Sequence, residues 1–186
     1  MDVTSHSITL ISIIVGLGLT ELLLNLHRLI HARDRVRWDP LPVLWMAIVL
    51  LMLLNYWWAV VLRRDGSELA HTAAEYGLLL VHPLLLFLLC ATVLPRLVSE
   101  DGIDMRRAYE SDRRAFAWLF VLYMLANWIL VFVTRAPFWN GITLQRTAVS
   151  ILLVSLLMVN SRRWDWLVAI GVMAIAIIRT ATQAVR

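Results

Sequence analysis

Six long apolar stretches alternate with short polar ones along this chain, centred on Ile8 to Ile30, Leu41 to Leu62, Ala74 to Leu97, Ala115 to Thr134, Leu144 to Val159, and Trp166 to Thr180. Most approach the ~20 residues that a helix needs to cross ~30 Å of hydrocarbon. The pattern therefore predicts an all-α, polytopic membrane protein: a six-transmembrane-helix bundle with short loops, residues 1–186 forming a single transmembrane domain. The connections carry turn and cap chemistry. Asp39 ahead of Pro40 predicts an N-cap followed by proline at the first helical position. Asp65-Gly66 with Ser67, and Pro137 with Asn140-Gly141, predict turns. Within residues 99–114, Arg106, Glu110 and Arg114 recur every four positions, which predicts a fourth helix that starts ahead of its apolar part.

Composition agrees with the pattern. Hydrophobic residues make up 61% of the chain and charged ones 16%, against ~45–50% and ~25% in soluble domains. The charge is distributed by topology. All seventeen basic residues are arginine, and eleven fall in the first, third and fifth connections or at their edges, against six on the other side. The positive-inside rule then places those three loops in the cytoplasm and both termini outside. Anionic lipid headgroups are the partner this arrangement implies, and nucleic acid is unnecessary. The absence of lysine fits a GC-rich bacterial genome, hence a bacterial cytoplasmic membrane. The opening MDVTSHS lacks a basic region, so the first apolar run reads as a retained span rather than a cleaved signal. The lone Cys90 supports no internal disulfide.

Helical periodicity divides the first span. Ile8, Ile11, Val15, Leu19, Leu22, Leu26 and Leu29 form one aliphatic stripe, the expected lipid face. Opposite lie two neighbouring stripes, one with Ser12, Gly16, Thr20, His27 and His31, the other with Gly18, Glu21, Asn25 and Arg28. Ser12, Gly16 and Thr20 form a small-xxx-small pattern for helix packing. Glu21 is the anomaly, since a carboxylate near the bilayer centre costs ~2.5–3.5 kcal/mol and normally faces a cavity or partner. It either bonds to Asn25 and Arg28 on its own helix or serves a site.

Depth favours a site. By helical rise Asn55 and Asn127 lie about 10 Å in from the outer face, His82 about 12 Å and Glu21 roughly 12 to 18 Å. Four polar side chains from four helices could meet at one level, with Asn25 and Tyr56 nearby. Pro83 cannot donate to the Leu79 carbonyl and so frees an acceptor beside His82. Glu–His pairing in low dielectric suits proton or cation handling. The segment MLLNYWWAVVLR at 52–63 also resembles MLANWILVFVTR at 124–135, and Arg-Trp-Asp occurs at both 37–39 and 163–165. Trp38, Trp139, Trp164 and Trp166 suit the membrane interface. Trp45, Trp57, Trp58, Trp118 and Trp128 are expected to pack between helices.

Other chemistries find little here. His27 and His31 have a spacing that can hold a metal, but they sit at the cytoplasmic boundary with no third soft ligand. Five histidines are too few for a di-iron enzyme, and His27 and His82 are about 10 Å apart in depth, too far for one haem. No nucleophile elbow, P-loop or zinc spacing is present. No cofactor is implied. The sequence points to a small channel or transporter for protons, cations or a small solute, as a possible homo-oligomer. The alternatives are a sensor or accessory subunit whose loop 99–114 docks a partner, and a cofactor-binding or lipid-modifying enzyme.

Overall fold

A computed structural model describes residues 3–62, 73–95, 102–133 and 141–184. These form six helices: α1 Val3–His31, α2 Pro40–Leu62, α3 Ala73–Thr92, α4 Met105–Val133, α5 Gly141–Met158 and α6 Arg162–Ala184. Four contain runs long and apolar enough to cross a membrane, Ile8–His31, Pro40–Val60, Met105–Val133 and Arg162–Ala181, while α3 and α5 carry the shorter apolar runs Leu79–Thr92 and Thr143–Met158. The helices are compatible with a membrane protein, and so is the bundle's outside, where Ile13, Leu17, Phe132, Ile151 and Ile170 are exposed. The turns expected at Asp65–Gly66 and around Pro137 lie outside the described residues, as does Trp139.

Helix ends follow local chemistry. Asp39 caps α2, its Oδ1 accepting the Leu41 amide at 3.0 Å. Asp104 does the same for α4, accepting from the amides of Arg106 at 3.0 Å and Arg107 at 3.3 Å. So α4 begins well ahead of Ala115, and Arg106 Nε donates to Glu110 at 2.9 Å one turn on. The third helix stops at Thr92 rather than Leu97, because Pro95 disfavours helical backbone before it.

Five of the helices close a ring. α2 packs on α3, α3 on α4, α4 on α5, α5 on α6, and α6 back on α2. α1 lies outside it, against α3 and α2. This corrects the expected faces of the first helix. Ile11, Val15, Leu22 and Leu29 are buried, not lipid-facing, and Gly18 and Asn25 are buried beside them. Gly16, Thr20, His27 and His31 are exposed. Close approach occurs at Gly18, where an added Cβ would lie 3.5 Å from Phe87 Cα, whereas Gly16 has nothing within 4 Å. The physical reason is that lipid is as apolar as leucine, so shape rather than polarity selects the packed face.

The first, third and fifth connections meet at one end. Val36–Arg37 (β1) and Ile103–Asp104 (β2) form a short parallel pair, Val36 opposite Ile103. Two-residue strands have no periodicity to read, and the all-helical pattern did not anticipate them. Gly102 makes the approach possible: its φ is 89° and a Cβ there would sit 2.4 Å from the Arg35 carbonyl oxygen. Arg162 bonds Asp39 across the same end. Asp165 differs from Asp39 despite the shared Arg-Trp-Asp. It lies inside α6 and accepts from Arg113 Nε at 2.8 Å and Nη2 at 2.7 Å, both residues being buried. Arg113 Nη2 also donates to the Val159 carbonyl at 2.6 Å.

Candidate functional site

The ring is filled at one half and hollow at the other. Toward the arginine-rich end Trp45, Phe116 and Phe120 are buried and interlock, with ring centroids 4.8 Å apart for Phe116–Phe120 and 5.3 Å for Trp45–Phe116. Further along is a cavity of about 160 Å³ to which each of α2 to α6 contributes. The two similar segments of α2 and α4 supply matching residues, Met52 with Asn55 and Met124 with Asn127. Placed three apart, Met and Asn share a helix face.

Backbone chemistry sets the wall between α2 and α3. Pro83 lies inside α3 and has no amide hydrogen for the Leu79 carbonyl. The Tyr56 hydroxyl donates to that oxygen at 3.0 Å. His82 is buried between two tyrosine rings, parallel to Tyr56 at 6.2 Å between centroids and edge-on to Tyr123 at 5.7 Å. Asn55 Nδ2 donates to the Leu51 carbonyl at 2.8 Å and to Thr180 Oγ1 at 3.0 Å, joining α2 to α6. Asn127 Oδ1 is buried without a hydrogen-bond partner among the described residues.

Asn55, Tyr56, His82 and Asn127 thus line one space. Glu21 and Asn25, expected with them, do not reach it. Equal depth fixes a level along the normal but not a direction around it, and α1 lies outside the ring. Asn25 Nδ2 donates to Glu21 Oε1 at 3.3 Å and Arg28 Nη1 donates to Asn25 Oδ1 at 3.3 Å, so Asn25 bridges the opposite charges along one helix. His82 therefore lines the cavity without Glu21 among the described lining residues. Of the packing stripe Ser12, Gly16 and Thr20, the Thr20 hydroxyl turns back to its own helix and donates to the Gly16 carbonyl at 2.8 Å. The His27 and His31 rings stack at 6.2 Å, both exposed. No cluster of three or more His, Cys, Asp or Glu suited to a metal occurs among the described residues.

The sequence reading missed Tyr123, Gln145, Arg146 and Arg179, which also line the cavity. By sequence both arginines read as end-of-span charges. Yet Arg146 follows the start of α5 by five residues and Arg179 precedes the end of α6 by five, about 7–8 Å by helical rise. That places them within reach of the level of Asn55 and Asn127. Arg146 and Arg179 are the charged residues among the described lining. The available signal was their position inside an apolar run rather than in a loop.

Comparison with protein-family models, curated proteins and solved structures finds no match to this chain.

Proposed function

We propose that the chain is a six-span membrane carrier of a bacterial cytoplasmic membrane that binds a small solute in the ring cavity. The carrying observation is that polar and cationic side chains from five apolar helices line one cavity. Polar and ionisable side chains within membrane-spanning helices characteristically face a cavity that serves as a solute path. Trp45, Phe116 and Phe120 block the ring beyond the cavity, which favours a carrier that rearranges over an open pore. The six-span reading is supported by the lengths of α3 and α5, 20 and 18 residues, enough for about 27–30 Å of helix. The outward position of both termini is supported by the meeting of the three arginine-rich connections at one end.

Purified protein in proteoliposomes tests this. Saturable uptake from a panel of small acids, amines and neutral solutes is expected, and it should be lost when Asn55→Leu and Asn127→Leu are combined. Single-channel currents would refute the carrier reading. Binding without movement across the membrane would also refute it, making the protein a sensor.

A further inference from the structure

We infer that the solute is a small neutral molecule that donates an N–H or O–H hydrogen bond to Asn127 Oδ1 and lays its apolar part along Met52, Met124 and Val172; this rests on the solute-carrier reading above. An open acceptor carries the argument. Asn127 lines the cavity from α4, and its Oδ1 is covered by protein yet accepts from none of the described residues. Its counterpart shows what a structural asparagine does in this bundle. Asn55, at the matching place in α2, donates to the Leu51 carbonyl at 2.8 Å and to Thr180 Oγ1 at 3.0 Å. Both asparagines line the same cavity, but Asn55 ties α2 to α6 and Asn127 keeps its acceptor open. Leaving a buried acceptor unmatched costs more than a made bond contributes on balance. A solute that brings a donor removes that cost, so the site discriminates by donor. The χ2 torsion of asparagine is broad, so the carboxamide can turn its oxygen toward a solute.

Charge and size narrow the class. An ionised carboxylate only accepts hydrogen bonds and has nothing to give Oδ1. An ammonium does donate, but one neutral acceptor does not offset the desolvation of an ion, which far exceeds that of a hydroxyl or an amide. A neutral donor remains. The cavity of about 160 Å³ compares with an engineered apolar cavity of ~150 Å³ that holds benzene. It is well below the ~300–1,000 Å³ of drug-sized sites. A solute of roughly six to eight heavy atoms fits that scale. Depth orients it. Asn127 lies six residues before Val133, the last of α4, about 9 Å by helical rise, and Met124 lies about 4.5 Å deeper. Met52 and Val172 also line the cavity, and by the same rise both lie deeper than Asn127. The apolar part of the solute therefore runs inward from its donor, over thioether and aliphatic surface that adapts to irregular shapes.

Isomers that differ only in the donor test this. Full-length protein in phosphatidylcholine nanodiscs is titrated by calorimetry, with empty nanodiscs subtracted, using two pairs of equal composition: butyramide against N,N-dimethylacetamide, and benzyl alcohol against anisole. Butyramide and benzyl alcohol are expected to bind about fivefold more tightly than their donor-free isomers, the scale of one neutral hydrogen bond. Butyrate and butylamine should bind more weakly than butyramide. Asn127→Leu should bring each pair to within about twofold while the helical circular dichroism is retained, and Asn127→Ala replaces it where the leucine variant does not fold. The comparison within the unaltered protein needs no variant. Equal binding of the isomers overturns the donor assignment and leaves the solute-binding reading standing. A preference that survives in folded Asn127→Leu overturns Asn127 as the acceptor. Tighter binding of butyrate or butylamine overturns the neutral class. If no compound binds, the solute-binding reading falls as well.

Discussion

Replacing Tyr56 with phenylalanine should weaken the fold, and the loss should disappear when Pro83 is also replaced. The argument begins at the Leu79 carbonyl. In a regular helix it would accept from the amide four residues later, but that residue is Pro83. Its observed donor is the Tyr56 hydroxyl at 3.0 Å. Tyr56→Phe keeps the ring beside His82 and removes the hydroxyl that supplies that donor. A buried carbonyl left without its partner costs ~1–3 kcal/mol in soluble proteins, while interhelical hydrogen bonds in membranes average ~0.6 and reach ~1.7 kcal/mol. The expected loss is therefore about 1 to 1.5 kcal/mol. In Pro83→Ala the alanine amide can bond to Leu79 within α3, so adding Tyr56→Phe should cost only a few tenths of a kcal/mol. The four proteins of this cycle can be compared by reversible unfolding in mixed micelles, followed by tryptophan fluorescence. Equal losses for Tyr56→Phe in both backgrounds would falsify the claim that proline makes the carbonyl depend on Tyr56.

Other perturbations probe the rest of the structure. Asp165→Leu or Arg113→Met alone should cost about 3–5 kcal/mol by stranding a buried charge, while the double replacement should cost far less; additive losses in the same unfolding assay would contradict this. Gly102→Ala, forcing a positive φ and a contact with the Arg35 carbonyl, should destabilise by about 1–3 kcal/mol. On α1, Gly18→Ile should lower stability by about 1–3 kcal/mol through overpacking against Phe87 and Leu53, and Gly16→Ile should be nearly silent; the reverse order would restore the small-residue stripe as the packed face. Phe120→Ala should cost about 3–5 kcal/mol and raise passive leak of small ions in proteoliposomes, whereas an unchanged leak would show that the aromatic cluster is not the barrier.

Part of the site was legible because chemistry local to a helix announces it. Asn55 and Asn127 interrupt apolar runs at similar depth, and the two segments carrying them align with Met three residues before each Asn. Pro83 identified an acceptor in need of a donor without contacts being known, since the missing amide is a covalent fact. Glu21 looked equally suitable by depth alone, but direction around the bundle is not encoded in depth. Arg146 and Arg179 went unnoticed for a related reason. Counted as arginines near span ends, they served the topology argument, although each stands more than a turn inside its helix. The tryptophans divided similarly: Trp45 is fully buried, while Trp58 and Trp118 are exposed, because an indole serves either environment.

By itself the sequence determined the helices, their apolar character, the caps at Asp39 and Pro40, and the clustering of arginine in alternate connections. These depend on residues within a turn or two of one another, or on counts between spans. Only the tertiary structure decided that five helices close a ring with the first outside, that an aromatic cluster fills half of it, and that two arginines share the hollow half with two asparagines. Leucine and isoleucine lose little by facing either lipid or protein, so hydrophobicity cannot choose the neighbours of an apolar helix. Side-chain shape and the few buried polar bonds do, among them Arg113 with Asp165 and Asn55 with Thr180, and those pairings join residues more than fifty positions apart.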